Sequence, residues 1–78
     1  MSSDQFNHLD YYDQMQAVLR GTYLADRLTE HHYLRLYNLE GMYIEACFDS
    51  RSHLITRFRA FETTLFVLPY LEELQLTF

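Results

Sequence analysis

The sequence predicts an α+β fold, in which an N-terminal helix packs on a four-stranded antiparallel meander and a short C-terminal helix follows. Three patterns support this prediction: helical apolar spacing over residues 5–20, a period of two from Thr22 to Phe61, and short turn-forming segments between the alternating stretches. Two glycines and one proline leave little room for long loops in 78 residues. We therefore expect a single domain over residues 1–78.

An amphipathic helix is predicted over residues 5–20. Ser3 or Asp4 can cap its first turn, and Gly21 follows Arg20 as a stop signal. One helical stripe carries the larger apolar side chains, which are Tyr11, Tyr12, Met15, Val18 and Leu19. This stripe is expected to cover one face of the sheet.

Four strands should follow, each joined to the next by a short turn. They are predicted at residues 22–30, 33–39, 42–49 and 54–61. The Asn and Gly of "NLEG" at 38–41 are typical of a tight hairpin connection. Because Pro69 suits the first turn of a helix, a short C-terminal helix is expected around residues 68–74.

Side chains alternate across a strand, so the meander should have two different faces. The apolar face predicted as the core contains Leu34, Leu36, Met42, Ile44, Ala46, Phe48, Leu54, Phe58 and Ala60. The other face carries Cys47 and Ile55 together with a Tyr- and Arg-rich set: Tyr33, Arg35, Tyr37, Tyr43, Glu45, Arg57, Arg59 and Phe61. Tyr and Arg are enriched at interface hot spots, so we predict that this set binds a partner.

Two other interpretations of the Tyr- and Arg-rich face stay open. It could be a solvated surface held together by Arg–Glu pairs and cation–π contacts. The C-terminal segment could also bury part of it.

The composition disfavours one class of partner and indicates a cellular compartment. A net charge of −5 disfavours general nucleic-acid binding, which needs a positive field around the protein. All six cations are arginine. This usage either reflects genomic base composition or indicates an interface, where arginine is preferred over lysine. The single cysteine, Cys47, cannot form an internal disulfide, and no signal peptide or bilayer-spanning run is visible. We therefore expect a cytoplasmic location.

No catalytic, cofactor or metal site is predicted. Glu30, His31 and His32 form a short cluster, but a metal site needs three or four converging ligands. Cys47 has no nearby base and is interpreted as a packed thiol. No glycine-rich phosphate loop or paired-cysteine motif occurs.

The function expected from these observations is non-catalytic protein–protein interaction. Small chains with modest cores often gain stability by association, so self-association through the Tyr- and Arg-rich face or a sheet edge is favoured. One alternative is a small acidic inhibitor or immunity-type protein that offers Asp4, Asp10 and Asp13 to a basic partner. Another is a single-stranded nucleic-acid binder that stacks bases on the same Tyr and Arg side chains.

The segments "GTYLADR" at 21–27, "RLYNLEGMYIEACFD" at 35–49 and "RFRAF" at 57–61 resemble a loose set of short, uncharacterised bacterial proteins. Those proteins share a Gly-x-Tyr-Leu-Ala opening, a Leu-Tyr strand end and an Arg-x-Phe strand. The resemblance implies a cytoplasmic bacterial origin and carries no activity or cofactor.

Overall fold

The computed structural model describes residues 1–71 and confirms the α+β meander. Its elements are α1 (Ser3–Asn7), α2 (Tyr11–Val18), β1 (Thr22–Leu28), β2 (His32–Leu39), β3 (Met42–Asp49), β4 (Ile55–Phe61) and the 3-10 helix η1 (Thr64–Val67). The sheet has the order β1-β2-β3-β4, and all three strand pairs are antiparallel. Residues 68–71 continue η1 as α-helix, and the remainder of the predicted C-terminal helix lies outside the described residues.

The N-terminal region contains two helices, so the single helix predicted over residues 5–20 was wrong. Ser2 caps α1 in a capping box with Gln5. Asp10 caps α2, because its side chain accepts the backbone N–H of Asp13 across 2.8 Å. An N-cap residue has extended backbone geometry, so Asp10 interrupts the helix that the apolar spacing predicts.

A two-residue turn closes the β2–β3 hairpin. Glu40 and Gly41 both have positive φ, at 51° and 82°, as a type I′ turn requires. The turn places Leu39 opposite Met42, so each odd-numbered residue of β2 pairs with an even-numbered residue of β3. Directly paired residues share a face of the sheet. The predicted face assignment, which kept one parity across this hairpin, was therefore wrong.

The face covered by α1 and α2, here called the helix face, carries the larger core. Its buried residues are Phe6, Ala17, Val18, Leu39, Met42, Ile44, Ala46, Phe58 and Ala60. The predicted core positions of β3 and β4 fall here, with Phe48 partly buried at the margin. Leu54, also predicted as core, is 68% exposed because it lies in the turn before β4.

The opposite face, here called the C-terminal face, packs against residues 64–71, the C-terminal segment. Its buried cluster consists of Leu34, Leu36, Cys47, Phe61 and Tyr70. Leu34 and Leu36 are therefore core residues as predicted, but they belong to this second core. A register shift between Cys47 and Phe48 moves Ile55 from its predicted face to the helix face.

No helix within residues 1–71 is long and apolar enough to cross a bilayer.

Candidate interaction site

The sheet divides the eight predicted binding residues between its two faces. Three lie on the helix face, namely Tyr33, Arg35 and Tyr37. Five lie on the C-terminal face, namely Tyr43, Glu45, Arg57, Arg59 and Phe61. The prediction of one shared Tyr- and Arg-rich face was wrong, because the two-residue turn reverses the parity between β2 and β3. Whether these residues bind a partner stays a prediction.

On the C-terminal face, a buried carboxylate connects the sheet to the C-terminal segment. Glu45 is 8% exposed. Its Oε2 accepts the hydroxyl of Tyr70 across 2.8 Å, and its Oε1 accepts a guanidinium N–H of Arg59 across 3.2 Å. Burial, followed by the hydrogen bond to Glu45, raises the pKa of Tyr70. Tyr70 therefore stays a protonated donor to the carboxylate.

Aromatic rings extend this connection. The Arg59 guanidinium lies 4.9 Å from the ring centroid of Phe66 and 5.5 Å from that of Phe61. Phe61 stacks on Tyr43 with their centroids 5.9 Å apart. The C-terminal segment thus buries part of the Tyr- and Arg-rich set, which was one of the interpretations open from the sequence.

On the helix face, Asp26 of β1 joins two of the predicted residues into a polar cluster. The Tyr33 hydroxyl donates to Asp26, and Arg35 Nε donates to Asp26 Oδ1 across 3.2 Å. Arg35 also donates from Nη2 to the Tyr33 oxygen across 3.3 Å. Burial opposes ionisation of Asp26, but hydrogen bonds from Tyr33, Tyr23 and Arg35 outweigh it and lower its pKa. The cluster therefore contains a stable ion pair.

Asp26 was not among the predicted site residues. It lies directly opposite Arg35 in the β1–β2 register. A register shift between Tyr23 and Ala25 leaves Leu24 without a cross-strand partner. This bulge changes the alternation along β1, so the simple period of two did not place Asp26 beside Arg35. The opposite charges of Asp26 and Arg35, on neighbouring predicted strands, are the sequence signal that could have indicated this pair.

The Arg35 guanidinium is also surrounded by aromatic rings. It lies 5.3 Å from the centroid of Tyr23, 5.7 Å from that of Tyr33 and 5.8 Å from that of Phe48. Hydrogen bonding, first to Tyr33 and then to Tyr37 and Asp26, raises the pKa of Arg35. Arg35 is therefore a permanent cation in a fixed position.

A cavity of about 400 Å³ opens beside this cluster. Its lining residues are Leu28, Tyr33, Arg35, Phe48, Ser50 and His53. Leu28, Tyr33, Arg35 and Phe48 come from β1, β2 and β3, and Ser50 and His53 come from the β3–β4 turn. The cavity therefore lies at the end of the sheet where β1 ends, beside the β3–β4 turn and outside the buried core beneath the helices.

The two edges of the sheet differ in their hydrogen bonding. At β4, the Asn7 side chain donates to the Ala60 carbonyl across 3.0 Å and accepts the Ala60 N–H across 2.9 Å. The Tyr11 hydroxyl donates to the Ile55 carbonyl across 3.2 Å. These side chains hydrogen-bond the outward backbone groups of β4 that an additional strand would need for pairing. At β1, no backbone hydrogen bond within residues 1–71 extends outward from the strand.

The register shows which groups of β1 face outward. The Thr29 N–H donates to the His32 carbonyl across 2.8 Å, so Thr29 is directed toward β2. Backbone direction alternates along an antiparallel strand. Leu28 and Asp26 therefore present their N–H and C=O groups to the outer edge, whereas Arg27 is directed toward β2. Within residues 1–71, no backbone group is hydrogen-bonded to these outward positions.

The remaining candidate residues do not converge. His31 and Glu30 lie 3.9 Å apart in an exposed turn. Cys47 is a buried free thiol. Over the described part of the chain, no three His, Cys, Asp or Glu side chains are placed to hold a metal ion.

Comparison of the chain with family models, with curated proteins and with solved structures yields no match.

Proposed function

We propose that this chain is a non-catalytic protein–protein interaction module that self-associates through the outer edge of β1. One observation carries the proposal: helix side chains hydrogen-bond the outer edge of β4, whereas Asp26 and Leu28 of β1 present their backbone groups outward. An exposed strand edge is a template for another strand. Both edges of a small sheet need protection against unwanted pairing, and only one receives it from α1 and α2.

A second copy of the chain is the partner favoured by symmetry. In an antiparallel pair related by a two-fold axis, the same edge serves both subunits. Tyr23 and Leu28 are exposed beside this edge and would gain burial on pairing. A chain this small gains stability from a continuous sheet across two subunits.

The positions and the ion pairs of the arginines favour a protein partner over a nucleic acid. Arg35 bonds Asp26, and Arg59 bonds Glu45. These two arginines lie on opposite faces of the sheet and cannot form one continuous cationic surface, and the whole chain has a net charge of −5. Phosphate binding needs an excess of cations.

We also propose a cytoplasmic location. The support is Cys47, a free thiol in a buried position, since free thiols persist in reducing compartments.

The test is the oligomeric state of two variants at one position. Leu28→Pro removes the outward N–H of β1 without removing a hydrogen bond to β2, and proline is tolerated on edge strands. Leu28→Thr keeps that N–H and removes more apolar surface than Leu28→Pro does, so a smaller defect in Leu28→Thr cannot come from the side chain. Sedimentation equilibrium should give a wild-type dimer with a dissociation constant in about the micromolar range. Leu28→Pro should weaken association by about tenfold or more, and Leu28→Thr by clearly less.

Two outcomes would contradict edge pairing. The first is a wild-type chain that stays monomeric up to about millimolar concentration. The second is a Leu28→Thr variant as defective as Leu28→Pro, since that result would assign the contact to the side chain instead of the backbone. Circular dichroism of both variants verifies that the sheet is intact.

A further inference from the structure

We propose that the cavity beside Arg35 is a binding site for a small monocarboxylic acid with an apolar body. The carboxylate would lie on the Arg35 guanidinium, and the apolar part would lie against Leu28, Phe48 and the Tyr33 ring. Leu28 borders both this cavity and the β1 edge proposed for self-association, so the two sites adjoin, but the carboxylate site rests on Arg35 and not on strand pairing.

The size and the walls of the cavity fit such a ligand. Its volume of about 400 Å³ is typical of sites for small molecules. Three of its six lining side chains, Leu28, Phe48 and Tyr33, offer apolar or aromatic surface. A site of this kind removes an apolar body from water and orients it through a few polar groups.

The charge of the lining residues favours an anion. Arg35 is their fixed cation, and none of the six is acidic. Asp26 binds the guanidinium at Nε, and it is not part of the cavity wall. Asp49, which precedes Ser50, accepts the backbone N–H of Ser52 across 2.9 Å and is not part of the wall either.

The guanidinium has donor capacity left for a ligand. Arginine carries five N–H groups. Nε–H is used by Asp26, and one N–H of Nη2 is used by Tyr33. Even with Tyr37 as a further hydrogen-bonding neighbour, N–H groups remain to bind a carboxylate. The aromatic rings and Asp26 already hold the side chain in position, so little conformational entropy is lost when the ligand binds.

The β3–β4 turn supplies two more polar side chains, Ser50 and His53, and holds one of them in a rare backbone conformation. His53 has a φ of 62°, which is uncommon for a residue other than glycine. The Asp49 carbonyl accepts the His53 N–H across 3.0 Å and stabilises this conformation. Such backbone outliers cluster at ligand sites, where they place a side chain that an ordinary turn would not.

A carboxylate fits better than a phosphate. A dianionic phosphate is normally bound by several cations or by a row of backbone N–H groups. This cavity offers one permanent cation on a protein of net charge −5. A single planar guanidinium matches a planar carboxylate in both charge and geometry.

The first experiment titrates the full chain with 3-phenylpropionate, and in parallel with its neutral amide, 3-phenylpropionamide. Amide chemical shifts in two-dimensional NMR should change around Leu28, Tyr33, Phe48, Ser50 and His53. The acid should bind with a dissociation constant of about 1 mM, as expected for a ligand of this size, and the amide about tenfold more weakly. Equal affinity for acid and amide, or shift changes elsewhere on the sheet, would overturn the proposal.

Three variants test the assignment of the site. Arg35→Gln should abolish the preference for the acid, whereas Arg57→Gln, the same charge change on the other face, should preserve it. Ser50→Phe should fill the cavity and prevent binding of both compounds. If Arg35→Gln does not fold, Ser50→Phe still tests whether the compounds bind in this cavity. Wild-type binding in folded Ser50→Phe, or an intact acid preference in folded Arg35→Gln, would exclude this cavity.

Discussion

The hydroxyl of Tyr70 donates a hydrogen bond of 2.8 Å to the carboxylate of Glu45, and both side chains are buried. The bond joins the C-terminal segment to the third strand of the sheet, between residues 25 positions apart in the chain. Arg59 is the other partner of the carboxylate. A buried carboxylate is tolerated only where such partners compensate for its desolvation. The bond therefore stabilises both the buried charge and the packing of the C-terminal segment.

Removing the Tyr70 hydroxyl should weaken the fold. In Tyr70→Phe the ring can keep its packing, but Glu45 loses a donor in a buried position. We expect the free energy of unfolding to fall by about 1–3 kcal/mol in urea denaturation. The matched control is Tyr12→Phe, at a ring that is 67% exposed, which should change it by less than about 0.5 kcal/mol. Equal effects of the two substitutions would show that the Glu45 bond contributes nothing.

The amide of Asn7 should be needed for the stability of the β4 edge. Asn7→Ala removes both hydrogen bonds to Ala60 and leaves two partly buried backbone groups without a protein partner. The expected loss is about 1–3 kcal/mol in the free energy of unfolding. Gln16→Ala removes an exposed amide from α2 and should be nearly neutral. An Asn7→Ala variant as stable as Gln16→Ala would mean that water replaces the amide at this edge without cost.

Asp26 should make stability depend on pH in the acid range. Its pKa in the folded protein lies below the ordinary value of 3.8, so its ionised form stabilises the fold above that value. This contribution is lost as the pH falls through the lower, folded-state pKa. The stability difference between wild type and Asp26→Asn should therefore be largest near neutral pH and shrink in strong acid.

Chemical denaturation across the acid range measures this difference directly. Glu30→Gln provides the control, since it removes a carboxylate that is 88% exposed and should alter the profile little. A difference for Asp26→Asn that stays constant down to strong acid would refute a stabilising charge at this position.

The Glu40–Gly41 turn should respond in opposite directions to two substitutions. Gly41 has a φ of 82° and open space where a Cβ would lie, so Gly41→Ala should destabilise through backbone strain alone, by about 1 kcal/mol. Glu40, with a φ of 51°, also adopts a conformation that favours Asn. Glu40 Oε2 also pairs with the N-terminal ammonium across 3.1 Å, so Glu40→Gln, which removes the charge alone, is the reference. Glu40→Asn should unfold at a higher temperature than Glu40→Gln, and a lower midpoint than that reference would contradict the turn assignment.

Local patterns were reliable where the structure depends on neighbours in the chain. The third strand, Met42–Asp49, has the predicted bounds, and the hairpin lies at the predicted Gly41. Asp10 is a good N-cap residue and signals the start of a second helix, whereas the apolar spacing alone indicates one continuous helix. Both signals, the helix propensity and the cap at Asp10, depend only on residues close to Asp10 in the chain.

The division of the candidate site between two faces was also contained in the turn. A connection of two residues forces Leu39 to pair with Met42, and Tyr37 then shares a face with Ile44. Alternation holds within each strand, but the two-residue turn reverses which parity faces the helices. The bulge at Leu24 and the register shift at Phe48 left no comparable signal, since bulges arise from contacts between strands.

By itself, the sequence determined the number and order of strands, the position of the tight hairpin and the apolar character of the alternating positions. Only the tertiary structure decided which residues share a face, what covers each face and which edge is hydrogen-bonded by helix side chains. These features depend on pairs that are distant in the chain, such as Asn7 with Ala60 and Glu45 with Tyr70. Local periodicity carries no information about such pairs, because their hydrogen bonds form only when the packed sheet brings the two residues together.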